Sequence, residues 1–107
     1  MPNQSIPVET ANGMIQEYLT YMQEHEIDME HQTHSVSFDF TILQEWLKDV
    51  SDYTDELRIC MGVYPSGENA GRITTILWPY KDGQPATRPG EGGDVEIEPF
   101  NEGNGLP

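Results

Sequence analysis

From Val8 onward, the apolar residues Val8, Ala11, Met14, Ile15, Tyr18, Leu19 and Met22 recur every three or four positions. That spacing predicts an amphipathic helix reaching about His25, with Glu9, Gln16, Glu17, Gln23 and Glu24 on its wet face. Pro7 suits the first turn, where its missing N–H would be unpaired anyway. A second helix is predicted over residues 40–49. Asp39 is a good N-cap, and Phe38 stands at the hydrophobic-staple distance from Leu43. Phe40, Leu43, Trp46, Leu47 and Val50 form its apolar stripe.

After the polar run 51–56 the period falls to two. Leu57, Ile59, Met61 and Val63 share one face of a predicted strand, with Arg58, Cys60 and Tyr64 on the other. A second strand over residues 72–78 alternates Ile73, Thr75 and Leu77 against Thr74, Ile76 and Trp78. Pro65, Ser66, Gly67, Asn69 and Gly71 mark a connecting loop longer than a tight turn. Pro79 is expected to end the pairing or to lie at an edge, and Lys81-Asp82-Gly83 reads as the next turn. Two paired strands are not stable alone. A third strand is therefore expected from residues 36–38, from the acidic segment 94–98 through Val95 and Ile97, or from another copy of the chain.

These elements predict an α+β domain: two helices packed on a small antiparallel sheet built around a central hairpin. The domain is expected to occupy residues 1–85. Residues 86–107, rich in Gly, Pro and Glu, are expected to be a flexible acidic tail, partly disordered. The hairpin is apolar on both sides, yet two helices can cover only one. The uncovered side, with Trp78, is expected to meet the tail, a second subunit or another protein, and a homodimer is the favoured form.

The 107 residues fit one domain with one modest core. Nineteen acidic against five basic side chains give a net charge of −14, a field that repels nucleic acid and anionic lipid. The sequence therefore points to no nucleic-acid partner and no membrane, and to a protein partner of basic character. Acidity that merely keeps the chain soluble is the plainer alternative. No signal peptide or membrane span is evident at the N-terminus or elsewhere, so a cytoplasmic location is expected. The single cysteine, Cys60, reads as a small buried hydrophobe in its strand.

The hairpin carries a resemblance. Arg-Ile-Cys-Met-Gly-Val-Tyr-Pro at 58–65 and Arg-Ile-Thr-Thr-Ile-Leu-Trp-Pro at 72–79 resemble small bacterial proteins of unknown function. These share an RIxxGVYP…TxILxP hairpin and a Ser-Val-x-Phe segment like residues 35–38. The resemblance covers about half the chain and implies a fold unit without a catalytic residue. Those proteins often end in cysteines, whereas this chain ends in Gly-Leu-Pro.

Two candidate sites emerge. His25, His31 and His34, with Glu26, Asp28 and Glu30, offer imidazole and carboxylate ligands for a divalent metal. Their spacing lacks the i, i+4 pair of a helical metal site, and a solvated acidic loop is the plain reading. Arg58, Tyr64, Arg72, Trp78 and Tyr80 are the candidate interaction residues. Arg58, Tyr64 and Arg72 are expected to converge at one end of the hairpin as an anion-receiving patch, or else to pair with acids such as Asp55 and Glu56. No nucleophile elbow, phosphate-cradling loop or cofactor motif is present in the sequence. The sequence favours a non-enzymatic acidic protein-interaction module of immunity or inhibitor type, with a metal- or small-ligand-binding domain at the histidine loop as the alternative. An enzyme whose site is assembled from distant residues is the third.

Overall fold

The computed structural model describes residues 4–101 and 104–106. It has an α+β fold with two helices and small antiparallel sheets. Helix α1 spans Val8–Glu24 and stops in a Schellman-type turn. Glu26 sits at φ 60°, and the N–H groups of Ile27 and Glu26 bond the carbonyls of Met22 and Gln23. No residue of α1 is buried.

A short strand β1, Ser35–Ser37, leads to helix α2, Phe40–Val50. As the sequence indicates, Asp39 caps α2: its carboxylate accepts from the Ile42 N–H at 3.0 Å. A single 3-10 turn, Ser51–Tyr53, follows.

Strands β2, Glu56–Val63, and β3, Ile73–Lys81, form the central hairpin, in register from Glu56 opposite Tyr80 to Val63 opposite Ile73. β3 runs through Pro79 rather than stopping before it. The position tolerates proline because it lies opposite Leu57 in a pair whose β3 member needs no N–H toward β2. Its carbonyl faces the other way and accepts from Ala86 N–H at 2.9 Å.

Within the chain, the third strand of this sheet comes from neither residues 36–38 nor residues 94–98. It is β4, Gln84–Pro85, joined to β3 by the two-residue Asp82-Gly83 turn, both residues at positive φ. Strand β5, Thr87–Gly90, pairs with β6, Gly93–Glu96, in a second hairpin. The acidic strand foreseen near 94–98 therefore exists, but it pairs with its own neighbour. Strand β7, Asn104–Leu106, pairs with β1; of the tail expected over residues 86–107, residues 102, 103 and 107 lie outside the described residues.

The core changes where the domain ends. Val50, Ala86 and Ile97 are buried together, with Trp46 and Tyr53 packed against them. Phe100 is buried opposite Leu77, exchanging both backbone hydrogen bonds with it at 2.9 Å. Its ring also meets Trp46 at 5.1 Å and Phe38 at 5.6 Å. A boundary after residue 85 would cut through this cluster. The segment expected as a tail completes the core, because Ala86, Ile97 and Phe100 supply apolar groups that α2 and β3 cannot supply to each other. The radius of gyration is 16.7 Å, against about 13 Å for a compact chain of this length. The molecule is expanded, and α1, like β2, has no buried residue.

Candidate functional site

The open side of the central hairpin is the most unusual surface of the molecule. Leu57, Ile59, Met61 and Val63 are 40%, 66%, 69% and 59% exposed. They stand on the same face as Leu77 and Pro79, which are buried. Phe100 opposite Leu77, its ring tilted against Trp46, places α2 on that face over β3. Cover therefore reaches β3 and stops before β2.

The backbone of β2 is open as well. Leu77 gives both its backbone bonds to Phe100, Ile73 N–H donates to the Gln32 side-chain oxygen at 2.7 Å, and the Pro79 carbonyl bonds Ala86. The odd-numbered residues of β3 thus turn their backbone groups away from β2. Residues directly opposite in an antiparallel ladder behave alike, so Leu57, Ile59, Met61 and Val63 aim N–H and C=O groups outward. Among the described residues no strand lies beyond them. The strand is eight residues long with no proline, and its only charges are Glu56 and Arg58 at one end. Natural edge strands are usually shortened, kinked or charged against such pairing; beyond Arg58 this one has none of these features.

The sequence-predicted interaction residues do not form one patch. Arg58 donates from Nε and Nη2 to the Glu56 carboxylate at 3.2 and 3.3 Å, and its guanidinium lies 3.9 Å over the Tyr80 ring. The hydrogen bonds to Glu56 raise its pKa further above the ordinary arginine value. Tyr64 and Arg72 pair through their backbones at the other end of the hairpin, about 20 Å away along β2. The Tyr64 hydroxyl accepts from Thr74 at 3.2 Å. The expected convergence of Arg58, Tyr64 and Arg72 thus does not occur, since an even spacing puts residues on one face without bringing them to one end. Trp78 is half-buried, and its Nε1–H has no hydrogen-bond acceptor among the described residues. The exposed apolar face is therefore not Trp78's but the opposite one. Alternation identifies the four β2 side chains as a set; what hid their exposure is that α1 leaves them uncovered.

In the histidine loop, ligand atoms of Asp28, Glu30 and His31 lie within 4.8 Å of one another. His31 Nδ1 is 2.7 Å from the Asp28 carboxylate. That contact and the Glu30 N–H hold the Asp28 carboxyl below its ordinary value. His25 and His34 are turned elsewhere: Nδ1 of His25 faces the Tyr21 carbonyl and Nε2 of His34 the Met29 carbonyl. The imidazole of His25 also stacks on Tyr21.

An open cleft of about 1060 Å³ lies between α2 and the 95–101 segment. Glu45, Asp49, Glu96 and Glu98 line it, with Arg88 bonded to Asp49 at 3.1 Å. No helix of the described residues is long and apolar enough to cross a membrane. The chain matches no family model, no curated protein and no solved structure.

Proposed function

We propose that the protein is a non-enzymatic interaction module of the cytoplasm that engages another protein through the open edge and apolar face of β2. The observation that carries this reading is the run Leu57, Ile59, Met61 and Val63, where exposed apolar side chains and outward backbone groups coincide. Main-chain bonds to an added strand supply affinity, and side-chain pockets supply selectivity. The −14 charge and the acidic cleft beside α2 suit a partner with a basic surface, as in an immunity or inhibitor protein. A single unpaired cysteine suits a reducing compartment.

The test is retention of a partner by the tagged chain, followed by mass-spectrometric identification. The wild-type chain should hold a defined protein that Ile59→Lys/Met61→Lys releases, with the circular dichroism unchanged. Equal retention by both chains would overturn the reading.

Divalent-metal binding is the second reading, supported by the grouping of Asp28, Glu30 and His31. Stoichiometric zinc should then raise the melting temperature of the wild-type chain and not that of His31→Ala. An unchanged wild-type melting temperature would remove it.

A further inference from the structure

We infer that the occupant of the β2 edge is a second copy of this chain, paired antiparallel about a two-fold axis at Cys60. The inference rests on the reading of β2 as a docking strand and names its partner. Its warrant is self-complementarity. With Cys60 opposite Cys60 of the second copy, Leu57 falls opposite Val63 and Ile59 opposite Met61, and each of these four residues meets one of the same four. Their outward N–H and C=O groups then bond each other, and the exposed side chains align on one face. Arg58 falls opposite Gly62 and Glu56 opposite Tyr64, so no like charges are directly opposed. A shift of two residues either way leaves one of the four unpaired or sets it against Asp55 or Pro65.

Area points the same way. A fully buried aliphatic side chain contributes about 1.5–3 kcal/mol at about 25 cal/mol per Å², so a half-exposed one still offers about 30–60 Å². The four β2 side chains and the exposed Val8, Met14, Ile15, Tyr18 and Tyr21 of α1 are the apolar surfaces that the monomer leaves uncovered on these two elements. In two copies they amount to about 500–1,100 Å², the size of a small, weak interface. Edge pairing joins the two β2 faces into one strip.

The central pair is a non-hydrogen-bonded one, because Cys60 turns its backbone toward β3. Such pairs place Cα atoms about 4.5 Å apart, within the span of a disulfide. The test therefore combines solution mass with thiol crosslinking by diamide, which takes up the two thiol hydrogens as the S–S bond forms. The wild-type chain should sediment as a dimer and give a crosslinked dimer; Cys60→Ser/Glu56→Cys, whose cysteine would face Tyr64, should dimerise without crosslinking. Ile59→Lys/Met61→Lys should be a monomer with unchanged circular dichroism, as expected for exposed positions. Because each copy carries −14, dimerisation should strengthen several-fold from about 0.01 M to about 0.15 M salt as the screening length shortens from about 30 to about 8 Å. Capture of a basic partner would instead weaken.

A monomer at high concentration and salt, a dimer that survives Ile59→Lys/Met61→Lys, or crosslinking through position 56 in place of 60 would each overturn the inference. A monomer whose identified partner is lost in Ile59→Lys/Met61→Lys overturns the self-pairing alone. Retention of that partner by Ile59→Lys/Met61→Lys would overturn the underlying reading as well.

Discussion

Glu26 is a side chain in a backbone conformation that favours glycine. Its φ of 60° follows from the turn that ends α1, where left-handed geometry costs a residue with a Cβ about 1–2 kcal/mol. A carboxylate there also opposes the negative end of the helix dipole. Glu26→Gly should therefore stabilise the chain by about 1 kcal/mol, read as a rise in melting temperature; a fall would show that Glu26 holds the loop in some other way. Asp28 gives a second check at this scale. Its folded pKa is lowered from 3.8, chiefly by His31 and then by the Glu30 N–H. The sign follows: the contribution of Asp28 to stability is present above that value and lost as pH falls through the lower folded one. Carboxyl NMR titration should find Asp28 below 3.8 and find it nearer 3.8 in His31→Ala.

At the scale of elements, the local signals were legible and the distant ones were not. The helical periods of α1 and α2, the Asp39 cap and the Asp82-Gly83 turn each depend on a few neighbouring residues, and each formed where the pattern put it. Pro79 misled because proline excludes a strand only where its N–H is needed, and that depends on which neighbour lies on each side. The segment 86–101 misled for a related reason. Its Gly, Pro and Glu content hides Ala86, Ile97 and Phe100, whose burial is set by contacts with α2 and β3 many residues away. Phe100 links these elements, touching Phe38, Trp46 and Leu77 at once. Phe100→Ala should cost about 3–5 kcal/mol, measured by urea unfolding. A cost below about 1 kcal/mol would mean the 86–101 segment is dispensable to the core.

At the scale of the whole molecule, the core lies to one side. It gathers α2, β3 and the 86–100 segment, leaving β2 and α1 with apolar faces toward solvent and a radius of gyration of 16.7 Å. On the reading proposed above, that apolar surface is what a partner covers, and the acidic surface keeps the free chain dispersed. The candidate site was half legible: alternation grouped Leu57, Ile59, Met61 and Val63, but an open edge is a property of topology. The most direct test is residue-resolved amide hydrogen exchange along β2. In dilute, dissociated chain, the amides of Leu57, Ile59, Met61 and Val63 should exchange rapidly while those of Arg58, Cys60 and Gly62 are protected. On association all seven should become protected. Uniform protection in the dilute chain, or an alternating pattern that association leaves unchanged, would contradict the account.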